Sequence, residues 1–248
     1  MHAYGQDLAY IHHAGFGDFA RSAAPGLLSI LRRSGIQGGL VVDLGCGSGI
    51  WAAELLKAGY EVSGIDISKA MIRLARHRAP GAAFRTGSLF RTKLPPCAAV
   101  TSIGECVNYC FDRSNSRRRL SRFFRRVYEA LDPGGIFIFD FVEPGQLSSD
   151  ASRRIFRQGE DWVVFAETTE NHREQTLTRR ITAFRRTGKL YRRSVEIHRL
   201  RLYRSRDVAS DLARAGFQAN ILRGYGRFRL PDAHAVIVAR KPSSRFSK

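Results

Sequence analysis

The stretch VVDLGCGSGIW, residues 41–51, decides how the rest of the chain is read. It runs from β-branched Val41 and Val42 through glycines at 45, 47 and 49 into a helical pattern that starts at Ile50. A strand that turns through glycines into a helix lets a small ligand approach backbone N–H groups at the helix N-terminus. The spacing is GxGxG. A dinucleotide fingerprint needs a third glycine where Ile50 stands, and a P-loop needs Gly-Lys-Ser/Thr, which is absent. Asp66 ends the next apolar run, and a carboxylate there can accept hydrogen bonds from both hydroxyls of a ribose. Loop and acid in consecutive units point to a nucleoside-bearing ligand at the C-terminal ends of the strands.

Outward from this turn, apolar runs alternate with helical patterns. GLVVDLG, YEVSGID, AAFRTG, AAVTSIG and GIFIFDFVEP read as strands. GIWAAELLKAG, SKAMIRLARHRAPG and SNSRRRLSRFFRRVYEALDPGG read as helices, with Gly59 and Pro80 as stops and Ser68 as a cap. Such alternation implies parallel strands with right-handed crossovers. Two helices precede it, GQDLAYIHHAGF and DFARSAAPGLLSILRRSG, broken at Gly15 and Gly17, with Asp18 expected as an N-cap. After Pro144 the chain turns β-branched: WVVFAETTEN, TLTRRITAFRR and KLYRRSVEIHRLRLY, with RRTGKL as a hairpin turn. The helix RDVASDLARAGF and the strands QANILRGYG and HAVIVARK follow. The short gap between those two strands leaves no room for a helical crossover, so they should be antiparallel.

The expected fold is therefore α/β. A three-layer sandwich surrounds a mostly parallel seven-stranded sheet with an antiparallel last strand, and an antiparallel β-sheet is inserted into it. The expected organisation is an N-terminal helical lid over 1–35 and a ligand-binding α/β core over 36–154. An inserted sheet over 155–204 covers the acceptor, a helix and two strands over 205–240 complete the core, and 241–248 form a basic tail.

The formal charge of +19 is uneven: residues 1–110 carry 11 Lys and Arg against 7 Asp and Glu, and the rest carry 30 against 15. Arginine dominates the basic residues, a bias that genome composition alone can produce, so the charge names no ligand; a basic face would favour an anionic partner. No apolar run reaches the ~18 residues of a membrane span. MHAYGQDLAYIHHAGF lacks the basic-then-apolar order of a signal peptide, so a cytoplasmic location is expected. Cys46, Cys97, Cys106 and Cys110 form no CxxC pair and read as reduced thiols, not as a disulfide frame or a zinc site.

VVDLGCGSG, GIDISKAMI, ALDPGGIFIFD and the terminal strand pair make the chain resemble the class I S-adenosylmethionine-dependent methyltransferases, over roughly residues 40–143 and 205–240. The resemblance implies a Rossmann-like fold, with S-adenosyl-L-methionine as cofactor and S-adenosyl-L-homocysteine as product. It implies that Asp43, Gly45, Cys46 and Gly47 line the methionine and sulfonium end, that Asp66 takes the ribose, and that Ile67 and Met71 pack on the adenine. Family members often place an aspartate after the third strand to meet the adenine amine. This sequence reads TGSL, so Ser88 stands there, beside Leu89. Gly104 completes the implied cofactor set.

In the resembling fold the end of the fourth strand, SIGECVNYC, faces the methyl group. Glu105, Asn108 and Tyr109 are thus candidates near the acceptor, and the Glu105 carboxylate could take a proton, neutralise the sulfonium or hold the substrate. GECVN is not the Asp/Asn-Pro-Pro-Tyr/Phe motif common in enzymes that methylate base amino groups. The opening helix offers Tyr10 and His12 as substrate contacts and His13 as a candidate base beside a glycine hinge suited to a lid. In SVEIHRLRLY, alternation puts Glu196 and His198 on one face, so His198 is a second candidate base oriented by Glu196, with Glu196 and Arg201 as substrate contacts. The arginines of NSRRRLSRFFRRVYEAL lie opposite Leu120, Phe123, Phe124, Val127 and Leu131 and read as solvated surface. Those of the inserted sheet, mixed with Phe184 and Tyr191, suit single-stranded RNA or a substrate phosphate or carboxylate. The expectation is an enzyme that moves the sulfonium methyl in line to N or O of a small molecule, an anionic one included, without metal. The alternatives are an RNA or protein methyltransferase that docks through its basic half, and a non-catalytic module that binds the cofactor.

Overall fold

The computed structural model describes residues 4–112, 114–148 and 151–243. Helices α1 (Gln6–Gly15) and α2 (Asp18–Arg33) come first. Then β1 (Leu40–Leu44), β2 (Glu61–Asp66), β3 (Ala83–Thr86), β4 (Cys97–Ser102) and β5 (Leu131–Val142) alternate with α3 (Ile50–Lys57), α4 (Lys69–Arg78) and α5 (Arg117–Ala130). The four strands β6 (Ser152–Gln158), β7 (Trp162–Asn171), β8 (Thr176–Thr187) and β9 (Leu190–Arg201) follow. The chain then forms α6 (Ser205–Arg214), β10 (Gln218–Leu222), the short pair β11 (Gly224–Tyr225) and β12 (Phe228–Arg229), and β13 (His234–Arg240).

The main sheet has seven strands in the order β10-β13-β5-β4-β1-β2-β3. β1 to β5 are mutually parallel, and β13 is antiparallel to both of its neighbours. The strand order reverses beside β1, and in open α/β sheets that switch point is where a crevice opens at the carboxyl ends. β5 shows why the sheet is covered twice. Ile136 and Ile138 join Leu27, Trp51 and Leu55 in one core, while Phe137, Phe139 and Phe141 join Phe123, Phe124 and Val127 in the other. A strand buried on both faces needs near-continuous apolar sequence. GIFIFDF supplies it except at Asp140, which is 1% exposed.

The second sheet, β6-β7-β8-β9, is an antiparallel meander. It starts at Ser152, three residues before the expected boundary. β6 carried no usable signal, because SRRIFRQ is exposed along its whole length and gives no apolar alternation. Other local expectations shift as well. Gly17, not Asp18, is the N-cap of α2, and Asp18 pairs with Arg21. α5 stops at Ala130, and LDPGG belongs to β5. Within the expected 1–35 lid, α1 and the first turn of α2 border the crevice. Ala23, Ala24, Leu27, Ile30 and Leu31 form a helical stripe that packs into the α/β core. Of the expected basic tail, residues 244–248 lie outside the described residues.

Candidate active site

A cavity of about 650 Å³ lies between the carboxyl ends of β1, β2 and β4 and the inward face of the second sheet, with α1 along one side. Its floor is the glycine loop. Gly45, Gly47 and Gly49 have φ of 75°, 52° and 76°, the left-handed region that favours glycine. A Cβ at Gly45 would lie 2.4 Å from Cys106 Sγ, whereas one at Gly47 would meet nothing within 4 Å, so the loop is an open cradle. Gly45 and Cys46 donate their N–H groups to Ile65 O, which ties the loop to β2. Gly47 N–H donates to Asp66 Oδ2 at 2.9 Å and Ser68 N–H to Asp66 Oδ1 at 2.7 Å.

Asp43 is the other acid of the floor. Its Oδ1 accepts from Thr101 Oγ1 at 2.9 Å, and Thr101 in turn accepts from Trp51 Nε1 at 3.1 Å. Its Oδ2 is buried with no protein partner. Burial pushes the Asp43 carboxyl up to about 7 against the opposing pull of Thr101, and burial likewise pushes Asp66 up to about 6. A buried acceptor without a donor is costly unless a ligand supplies one. Asp43 Oδ2 fits a cationic amine, and each Asp66 oxygen keeps a lone pair for a hydroxyl. This donor and acceptor set fits an adenosyl amino acid. Ile67, Met71, Gly87 and Leu89 continue the wall away from Asp43.

The lining that faces this floor is aromatic and charged. Gly104 and Glu105, at φ 84° and 63°, turn the chain after β4, and Asp140 accepts both of their N–H groups while Tyr225 donates to it at 2.7 Å. The Glu105 carboxylate receives Arg179 from β8 in a bidentate pair, at 2.7 and 3.1 Å, and His234 Nε2 at 3.0 Å. Burial alone would raise Glu105, but the facing Arg179 and His234 hold it at about 2. His234 moves up, because the Glu105 contact outweighs its burial. The rings of Tyr4, Tyr109, Phe111 and His198 meet one another here. Tyr4 and Tyr109 share a hydrogen bond between their hydroxyls at 3.2 Å, and Tyr109 stacks on Phe111 at 4.7 Å.

α1 is fastened on two sides. The Glu196 carboxylate accepts Tyr4 N–H at 3.0 Å, Gly5 N–H at 2.8 Å and His198 Nε2–H at 2.9 Å. Ser68 Oγ donates to Tyr4 O, Arg192 and Arg185 hold Asp7, and Arg185 lies 3.7 Å from the Tyr10 ring centroid. Burial pushes His12 down to about 4, so it faces the cavity neutral at ordinary pH.

Among the sequence-predicted residues, the cavity brings together Asp43, Gly45, Cys46, Gly47, Asp66, Ile67, Met71, Leu89, Gly104, Glu105, Tyr109, His12 and His198. The structure places the others outside its lining. His13 meets Arg78, Tyr10 donates to Asp161, and Ser88 donates to Asp112. Asn108 bonds the backbone of Val142 and Arg201, Arg201 flanks it, and Glu196 holds α1. Sequence reasoning missed His234, Asp112 and Asp140, and it read Arg179 only as one of the inserted sheet's arginines, not as the partner of Glu105. The lone acid within FIFDF was the available signal for Asp140; the other three lack a local pattern.

Residues 41–135 match the family described as a methyltransferase domain. The chain is 25% identical over 235 residues to a dTDP-3-amino-3,4,6-trideoxy-alpha-D-glucopyranose N,N-dimethyltransferase of Streptomyces venezuelae, covering 90% of this chain and 92% of that one. Its fold is similar to the sugar N-methyltransferase KedS8 from Streptoalloteichus, with TM-score 0.79 and 18% identity, covering 98% and 97% of the two chains. It is also similar to the amino pentose methyltransferase CalS10 of Micromonospora echinaspora solved with S-adenosylmethionine bound, with TM-score 0.75 and 19% identity, covering 97% and 99%.

Proposed function

We propose that this chain, a class I S-adenosylmethionine-dependent methyltransferase, transfers the methyl group to an amine nitrogen of a small molecule held beneath the second sheet. One observation carries the reading: a single cavity of about 650 Å³ joins the glycine loop to the inward face of that sheet, enclosed by α1. That volume suits a cofactor and a metabolite-sized acceptor, not a folded macromolecule. The similarity to a sugar N,N-dimethyltransferase supports nitrogen as the target. No helix among the described residues is long and apolar enough to cross a membrane.

The cofactor supplies an electrophilic methyl on sulfur. The protein supplies alignment and a dry, polar enclosure. Asp43 holds the amino-acid end, Asp66 the ribose, and Ile67 and Met71 the adenine. An acceptor amine must be unprotonated to attack. With its Nε2–H donated to Glu196, His198 keeps Nδ1 as an acceptor for the amine's proton. Glu105, held ionised, acts by fixing Arg179 and His234 beside the reacting centre; it is too acidic to serve as the base. Arg153 and Arg157 line the cavity around Ile155 and suit an anionic group on the acceptor. The exposed Arg180, Arg193 and Arg199 lie on the other face of the sheet, turned from the cavity, which counts against docking of RNA at the reacting centre.

The test is methyl transfer from labelled cofactor to a panel of amines, amino sugars and nucleotide-linked amino sugars, with RNA and protein in parallel, across a salt series. The expected result is turnover of a small amine with a weak salt dependence. Labelling confined to RNA, lost steeply with salt, overturns the reading.

A further inference from the structure

Ser88, the expected cofactor contact where the resembling family often places an aspartate, has its hydroxyl already committed. It accepts Phe90 N–H at 3.1 Å and gives its own proton to Asp112 Oδ2. Ser88 does not border the cavity. Asp112 does, in the wall that holds Ile67, Met71, Gly87 and Leu89. Asp112 is 7% exposed, and its Oδ1 is fixed by Ser114 N–H at 2.9 Å. Each oxygen thus has one bond and one remaining lone pair.

We propose that the Asp112 carboxylate accepts the exocyclic amine of the cofactor's adenine, and that Ser88 is the positioning residue that aims it. The acid reaches this end of the cavity from the loop after β4, a different element from the one that carries Ser88. That loop also carries Tyr109 and Phe111 to the aromatic wall. Asn115 braces it, donating to Val107 O at 3.0 Å and Tyr109 O at 2.9 Å while accepting the Tyr203 hydroxyl at 2.8 Å. Adenine recognition and the acceptor wall therefore sit on one braced loop. This inference rests on the cofactor and is independent of which acceptor is methylated.

Titration calorimetry with S-adenosylhomocysteine and its 6-oxo analogue, S-inosylhomocysteine, tests it. An amine donates to a carboxylate; an oxo group cannot. The wild-type protein should prefer the adenosyl ligand by about tenfold or more. In Asp112→Asn the side-chain amide can donate to the oxo group, so the preference should collapse or invert. Ser88→Ala should shrink it by a smaller factor. Equal weakening of both ligands in Asp112→Asn, or no change in either, overturns the proposal. So does a wild-type protein indifferent between the two, a result that stands even if Asp112→Asn does not fold. A wild-type protein that binds neither ligand overturns the cofactor assignment itself.

Discussion

Along the floor of the cavity, Asp43, Gly45, Gly47 and Asp66 come from two successive strands and the turn between them, and the bonds that fix them are largely backbone N–H to carboxylate. On the facing wall, Tyr4, Glu105, Arg179, His198 and His234 come from five separate places in the chain. Their contacts span 74 residues for Glu105 and Arg179, 129 for Glu105 and His234, and 192 for Tyr4 and Glu196. The glycine loop and Asp66 are short-range and built around backbone, while Asp43 also leans on the Thr101 side chain, 58 residues on. The wall is long-range, built of side chains, and closes only when the second sheet and α1 are in place. The difference suggests that cofactor binding should tolerate damage to the wall, whereas acceptor binding should not.

Substitutions can break or sharpen this contrast. The largest effect should come from Glu105→Ala, which leaves Arg179, with its side chain 23% exposed, facing no carboxylate. Removing one partner of such a pair costs about 3 kcal/mol or more. Urea unfolding should show that loss, and cofactor affinity of the folded fraction should stay near wild type; an equal collapse of cofactor binding would erase the distinction between floor and wall. Asp66→Ala is the converse. Calorimetry should show about hundredfold weaker cofactor binding, without the stability loss of Glu105→Ala. Glu196→Gln removes the carboxylate that accepts two backbone N–H groups of the α1 segment. The acceptor KM should rise about tenfold while cofactor Kd changes less than about twofold; parallel changes in both would show that α1 serves the floor as well.

The smallest effect is a pH dependence that sets the two halves against each other. Asp43 at about 7 and Asp66 at about 6 lie above ordinary carboxylate values. Raised carboxylates bind more protons folded than unfolded, so they favour the folded state at low pH, and that contribution is lost as pH rises through 6 and 7. A cationic, hydroxyl-bearing ligand wants the same groups ionised. Cofactor affinity should therefore fall several-fold as pH drops from 8 to 6. Glu105 has the opposite sign: its pairing stabilises the fold above its unfolded pKa and is lost only as pH falls through about 2. Calorimetry and thermal melts over one pH series would report both.

The same contrast explains what the amino-acid sequence reveals. The strand–loop–helix run at 41–57 declares itself because local chemistry suffices: β-branched residues, left-handed glycines and an acid at the next strand tip. The near-continuous apolar run of GIFIFDF likewise reports a strand buried on two faces. Glu196 and His198 fall together at i, i+2 because strand periodicity is short. Arg179 and His234 reach Glu105 through the folding of a distant meander and the last strand, and nothing in TLTRRITAF or DAHAV marks them. Ser88 shows the same limit in reverse: the position was legible, while the acid that meets it arrives from a loop 24 residues on.

The strand order at one edge of the main sheet bears on how the chain is made. β10 reaches the sheet only through β13, yet β13 leaves the ribosome later. A chain truncated just before His234 would hold β1 to β5 as a paired set while residues 218–222 have no neighbour in the sheet. Limited proteolysis of that truncated chain should find the segment cut readily, whereas the full chain should protect it.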